Sequence, residues 1–248
     1  MYPYIHIVIP SYTALALVGG FATLCLIYFR LERNEIEFTC FLKMFFLCIL
    51  GGIIGSKVLF AITQIGWLAE NFSAYNLLML IPQSGFVFYG GLFGVIFTLL
   101  FLTRSDPVLR EKIFRLSVPG MPLFHAFGRI GCFLAGCCYG KDLATPIEIG
   151  GLRLTRFPVQ LVEALAEFCL FIIILVIDSK KKNADLLKVY LVSYALIRFF
   201  DELLRGDEVR GIWMGLSTAQ WISIIIIVYY LCCAIMKNRL SLFSKLKE

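Results

Sequence analysis

Residues 125–140 read HAFGRIGCFLAGCCYG and concentrate side chains that can do chemistry. His125 and Arg129 are four residues apart, and Cys132 follows three later. On a helix that spacing puts an imidazole, a guanidinium and a thiol on one face. An imidazole so placed can act as a general base or proton shuttle. A thiol beside a cation can become a nucleophile. The plainer alternatives stay open: His125 as a structural donor and Cys132 as a small packing residue, since free cysteine is commonly buried. Cys137 and Cys138 complete a trio of candidate reactive thiols. A disulfide from Cys132 to either has poor helical geometry unless the helix breaks at Gly136.

More ionisable residues interrupt apolar stretches elsewhere: Lys57, Glu163, Glu167, Arg198, Asp201 and Glu202. Three cations, Lys57, Arg129 and Arg198, set against these carboxylates suggest a site for an anion. Arginine suits phosphate because its planar fork donates paired hydrogen bonds. Each residue also has a local explanation. Arg198 can pair with Glu202 four residues on, Lys57 can snorkel to an interface, and Arg129 can pair with Glu163.

The elements that carry these residues follow from composition. Of 248 residues, 60% are hydrophobic and 16% charged, against about 45–50% apolar and about 25% charged in a soluble domain. Such a chain cannot bury its apolar side chains without lipid. This excludes a soluble enzyme, a nucleic-acid-binding domain and a disordered tail. The net charge of +6 reads as basic cytoplasmic loops rather than nucleic-acid binding. The nine cysteines make no secreted disulfide framework and no pair of separated C-x-x-C zinc motifs. No metal and no cofactor are expected.

A helix needs about 20 apolar residues to cross a bilayer. The pattern predicts an all-α, polytopic membrane protein, a single integral domain over 1–248. Seven spans are expected, at 8–29, 44–65, 86–103, 114–138, 159–177, 187–204 and 216–236. The first segment lacks the basic start of a signal peptide and reads as a span. Fifteen of the 23 lysines and arginines fall on one side if the N-terminus is outside and the C-terminus cytoplasmic, and five on the other. This is the positive-inside bias. The remaining three are Lys57, Arg129 and Arg198. The longest loops, 66–85 with Trp67 and Tyr75 and 139–158, then lie outside.

With this orientation five helices bring polar groups to the outer half of the membrane: Lys57, Tyr89, His125 with Arg129 and Cys132, Gln160 with Glu163, and Arg198 with Asp201 and Glu202. Intramembrane ionisable residues usually face an interior cavity and a partner. A phospholipid headgroup is the natural anion at this depth. The glycines in GGIIGS (51–56) and FYGGLFG (88–94) let helix backbones approach closely.

Several segments resemble the prolipoprotein diacylglyceryl transferase family. GRIGCFLAGCCYG is similar to its signature G-R-x-G-N-F-x-N-x-E-x-x-G. GFVFYGGLFGVI resembles F-H-G-G-L-x-G, FPVQLVEA resembles H-P-x-Q-L-Y-E, and YALIRFFDELLRGD resembles R-F-x-x-E-x-x-R. The opening IHIVIPSYTALALVGG also matches in kind. The resemblance implies seven spans, location in the bacterial inner membrane, and transfer of a diacylglyceryl group from phosphatidylglycerol to the thiol of a lipobox cysteine in a preprolipoprotein. Glycerol phosphate leaves. By match it implies roles for Arg129, Gln160, Glu163, Tyr194, Arg198, Glu202 and Arg205. The chain departs from the pattern at Tyr89 and Phe157, where the family has histidine, and at Cys132, Ala135 and Cys137, where it has two asparagines and a glutamate.

The combined expectation is a membrane transferase. Lys57, Arg129, Gln160, Tyr194, Arg198, Glu202 and Arg205 bind substrate. His125, Tyr89, Arg129 and Glu163 carry the chemistry, with His125 the first choice of base and Tyr89 the second. The acceptor is a lipoprotein cysteine or another nucleophile. Two competing expectations are a lipid-binding membrane protein of the same fold without the chemistry, and a transporter. The lack of internal repeats disfavours the latter.

Overall fold

The computed structural model describes residues 4–5, 9–70, 73, 87–149, 151–181, 184–206 and 211–245. Tyr75 lies outside the described residues, as does most of the 66–85 loop. The described chain is mostly helical. Its helices are α1 (Ser11–Leu31), α2 (Phe38–Thr63), α3 (Ile65–Glu70), α4 (Phe88–Leu102), α5 (Pro107–Ser117), α6 (Gly120–Ala135), α7 (Val159–Lys180), α8 (Leu186–Leu204) and α9 (Thr218–Lys245).

Four helices are long and apolar enough to cross a membrane: Ser11–Asn34, Phe38–Thr63, Val159–Lys180 and Thr218–Lys237. Phe88–Leu102 is apolar but shorter. The segment expected as one span over 114–138 is two helices, because Pro119 has no N–H for the helical ladder. The second of them, α6, has 16 residues, about 24 Å at 1.5 Å per residue.

The fold is not purely helical. Antiparallel hairpins join β1 (Tyr4–Ile5) to β2 (Ile9–Pro10), β3 (Asp142–Ile149) to β4 (Leu152–Arg156), and β5 (Ile212–Trp213) to β6 (Leu216–Ser217). The β3–β4 hairpin occupies the stretch expected as the 139–158 loop. Its sequence alternates, and Gly151 takes a φ of +78° at the turn, a conformation glycine adopts without steric cost. The register sets Glu148 opposite Arg153, a favourable cross-strand charge pair.

Helix starts follow from local chemistry. The Asp185 carboxylate accepts from the Lys188 N–H at 3.0 Å and caps α8. Asp106 does the same for α5 through Leu109 N–H at 2.8 Å. At α9, Ser217 and Gln220 form a reciprocal capping box, with Ser217 N–H donating to Gln220 Oε1 at 3.0 Å and Gln220 N–H to Ser217 Oγ at 3.2 Å.

The chain divides into two compact units, residues 30–116 and residues 1–29 with 117–248. In the first, α2 and α4 pack through glycines: a Cβ at Gly90 would lie 2.9 Å from Ser56 Cα, and one at Gly94 3.2 Å from Gly55 Cα. The helices meet backbone to backbone, as small residues allow. Here too the Lys112 ammonium pairs with Glu35 at 2.5 Å. Its hydrogen bond and charge hold the exposed Glu35 carboxyl below the usual carboxylate range.

In the second unit α1 packs on α6 at Gly131, where a Cβ would lie 3.1 Å from Tyr12 Cα, and through Gly19, where it would lie 2.6 Å from Phe127 Cβ. Helices α6, α7, α8 and α9 then pack in sequence order. The usual soluble arrangement is inverted. Phe21, Phe29, Ile173, Phe200 and Ile225 are exposed, while His125, Arg129, Gln160, Glu163, Glu167, Arg198, Asp201 and Glu202 are buried. An exposed apolar surface of this extent suits hydrocarbon.

Candidate functional site

His125 and Arg129 on α6, Glu163 and Glu167 on α7, and Arg198, Asp201 and Glu202 on α8 form one buried cluster. Glu163 is its hub. Its Oε2 lies 2.7 Å from Arg129 Nε and 3.4 Å from Arg198 Nη1, and its Oε1 lies 3.8 Å from His125 Nε2. Arg198 also meets Glu202 at 2.7 Å and Asp201 at 3.6 Å on its own helix. Both local pairings expected from sequence, Arg198–Glu202 and Arg129–Glu163, are therefore present. They are joined through Glu163 into a network that spans three helices.

Such a network is how a low-dielectric interior tolerates charge, since each arginine has a carboxylate at ion-pair distance. Glu163 meets Arg129 at Nε, the side edge of the guanidinium, whose two terminal NH₂ groups carry four further N–H donors.

The His125 ring is bracketed by carboxylates. Its Nδ1 lies 3.3 Å from Glu167 Oε1, opposite the Glu163 side. Tyr194 meets the ring edge to face at 5.3 Å, and Tyr190 stacks on Tyr194 at 5.8 Å. Two carboxylates and a tyrosine ring thus surround the imidazole.

Three residues in this arrangement were not among those expected to act. Glu167 is completely buried, four residues from Glu163 and so on the same face of α7. Asp201 lies one turn beyond Arg198, and Tyr190 one turn before Tyr194. The i,i+4 and i,i+3 spacings were the available signal. Sequence could not reveal that Glu167 faces His125, because that depends on how α6 and α7 are rotated against each other.

The cysteine trio has a local cause. Helix α6 ends in a Schellman turn: Gly136 is left-handed (φ +76°), Cys137 N–H donates to Cys132 O at 3.2 Å, and Gly136 N–H to Phe133 O at 3.2 Å. The next residue but one, Cys138, is also left-handed at φ +58°. The helix thus breaks at Gly136 and the chain doubles back. All three Sγ atoms lie within 4.8 Å of one another, and all three cysteines are free thiols.

Gln160, at the start of α7, donates from Nε2 to the Cys137 carbonyl at 2.6 Å. Backbone bonds tie the following residues down: Gly140 N–H to Phe157 O at 3.0 Å, Lys141 N–H to Leu204 O at 2.9 Å, and Gly206 N–H to Tyr139 O at 3.0 Å. Gly140 also bridges to Arg205, which is buried. The turn after α6 is therefore pinned to the start of α7 and the end of α8.

The other two expected site residues belong to the first unit. Lys57 is half-buried on α2. Tyr89 is buried at the start of α4 and stacks on Phe93 at 5.9 Å.

Residues 3–236 match the sequence profile of the family described as prolipoprotein diacylglyceryl transferase. A phosphatidylglycerol–prolipoprotein diacylglyceryl transferase of Clostridium tetani is 31% identical over 226 residues, covering 88% of this chain and 89% of the relative. A second, from Clostridium perfringens, is 33% identical and covers 73% of each chain. One from Dehalococcoides mccartyi is 26% identical over 231 residues, covering 89% of this chain and 86% of the relative.

Proposed function

The chain belongs to the prolipoprotein diacylglyceryl transferase family, and on that premise we propose that it moves a diacylglyceryl group from phosphatidylglycerol to the thiol of a lipobox cysteine in a bacterial inner membrane. The observation that carries the site assignment is the three-helix network centred on Glu163.

The acceptor thiolate attacks the glyceryl carbon next to the phosphate. The carbon–oxygen bond breaks and its electron pair leaves on the phosphate of glycerol phosphate. Charge grows on that oxygen, and donors already aimed at it lower the barrier. Arg129 and Arg198 hold the phosphate, with Arg205 as a further cation. Glu163 and Glu202 keep the guanidiniums oriented. Gln160 and Tyr194 shape the substrate side. His125, oriented by Glu167, is the general base.

The whole chain is read as one integral domain with seven spans, an outside N-terminus and a cytoplasmic C-terminus. The loop-charge bias supports this orientation. Helices α6 and α8 need not be apolar all round, because their charged faces meet partners inside the protein.

Purified protein incubated with labelled phosphatidylglycerol and a lipobox peptide should release glycerol phosphate. Arg129→Ala should lower that rate by about 100-fold or more while the protein stays folded. A normal rate in that variant would overturn the site assignment. The replaced signature positions favour one competing reading, a glycerophospholipid-binding protein without transfer. Intact phosphatidylglycerol bound to the protein, with no turnover on thiol or hydroxyl acceptors, would establish that reading instead.

A further inference from the structure

The thiol cluster is not needed to hold phosphate, and a covalent role for it fails on chemistry. A diacylglyceryl group placed on an enzyme cysteine would be an alkyl thioether. Its leaving group is a thiolate on unactivated carbon, so the enzyme would not turn over.

The geometry fits a different use. Cys132, Cys137 and Cys138 converge with their sulfurs within 4.8 Å of one another, and the Cys137 thiol donates to the Cys132 carbonyl at 3.7 Å. Zinc–thiolate bonds of about 2.3 Å place the sulfurs of a tetrahedral site about 3.8 Å apart, which small side-chain rotations reach. The backbone that presents them is fixed by the Schellman turn and by the Gln160 bond to the Cys137 carbonyl. The charge also fits. Three thiolates and a divalent cation sum to one negative charge. Arg129 lies in electrostatic range of Cys132 and Cys138, and Arg205 of Cys138.

Among the described residues the cluster reaches the surface at Cys137. Cys132 is buried, Cys138 half-buried and Cys137 exposed. Three protein ligands with an open fourth position are the pattern of catalytic zinc rather than structural zinc. A thiol that takes such a position is deprotonated outright. The transferase reaction needs an acceptor thiolate, and this chain lacks both histidines of the family pattern at Tyr89 and Phe157.

We propose that Cys132, Cys137 and Cys138 bind a thiophilic divalent cation, zinc in the first instance, whose fourth position takes the acceptor cysteine. The metal-binding half stands on the sulfur geometry alone. The acceptor half rests on the transferase reading given above. On binding, the acceptor S–H bond breaks and its proton passes to His125, the base of that reading. The metal-bound sulfur then attacks the glyceryl carbon, a C–S bond forms, the C–O bond breaks, and glycerol phosphate departs with the electron pair. No oxidant or reductant is involved. This replaces the sequence-based expectation that no metal takes part.

Cobalt(II) is the probe for the first half. Reduced, metal-free protein should take up one equivalent and show a thiolate-to-cobalt charge-transfer band in the near ultraviolet. Cys138→Ser should remove the band, and so should Cys137→Ser, an exposed position whose change leaves the buried packing alone. Adding a lipobox peptide should shift the band, and the same peptide with serine in place of cysteine should not. Absence of the band, a band that survives both variants, or isolation of the native protein with a Cys132 disulfide in place of metal, each overturns the metal site.

The activity arm separates the two readings. Zinc-free protein should lose thiol transfer by about 100-fold, the scale of removing a positioned proton-transfer group, and zinc should restore it. Full transfer without metal refutes the acceptor role and leaves the transferase standing. No glycerol phosphate release under any condition, with the cobalt band intact, refutes the transferase and leaves the metal site.

Discussion

Glu167 shows what one residue can decide. Its carboxylate is fully buried, and its ion-pair partner is the Nδ1 side of His125. A carboxylate there costs desolvation energy that a hydrophobic side chain would avoid. A positioning role for the proposed base gives that cost a use. Glu167→Gln keeps the volume and removes the charge. It should lower kcat by about 10-fold or more, change the pH–rate profile, and leave KM for phosphatidylglycerol nearly unaltered. A reduced kcat with an unchanged pH profile would mean that Glu167 serves packing only. Glu163 differs in kind, because it orients two guanidiniums at once. Its loss should affect substrate binding and turnover together.

At the scale of elements, the decisive feature is how α6 ends. Gly136 stops the helix by entering the left-handed region, and the turn sends Cys137 and Cys138 back toward Cys132. A side chain at Gly136 would have to hold the same left-handed backbone, at about 1–2 kcal/mol. Gly136→Ala should therefore destabilise the protein by about that amount in denaturant titration. It should also lower cobalt uptake, since the turn that gathers the thiols is weakened. Undiminished stability in that variant would show that the turn is held by its tertiary bonds alone. The neighbouring pinning contacts, Lys141 to Leu204 and Gly206 to Tyr139, bind the turn to α8. The helix end is thus tied to its neighbours rather than being a free connection between helices.

At the scale of the whole molecule the question is orientation in the membrane. The proposed topology puts Lys180, Lys181 and Lys188 in the cytoplasm and the β3–β4 hairpin outside. A fluorescent protein fused to the C-terminus should fluoresce, and alkaline phosphatase inserted at the hairpin should be active. The reverse pattern would reject the orientation and, with it, access of the site to a secreted acceptor. Four helices meet the length and composition for crossing. The three remaining expected spans are carried by α4, α6 and α8, which are short or bear buried charge. Helices of that kind need protein neighbours to reside in hydrocarbon, so the unit around α6, α7 and α8 should insert as an assembled bundle.

The sequence by itself determined that the chain is a helical membrane protein, and it singled out Arg129, Glu163, Arg198 and Glu202, which the structure buries in one cluster. Composition reports lipid exposure directly, and charge inside an apolar run is too costly to be incidental. It also carried the family resemblance, through motifs that keep the arginines. Tertiary structure decided what those residues do to each other. That Glu163 is shared by two arginines, and that Glu167 faces His125, depends on the rotation and depth of packed helices, which no local pattern encodes. The β3–β4 hairpin was half legible, in its alternation and its glycine turn. The thiol cluster was less so: the sequence shows three cysteines and a glycine, and only the left-handed backbone at Gly136 and Cys138 turns that spacing into three sulfurs facing one point.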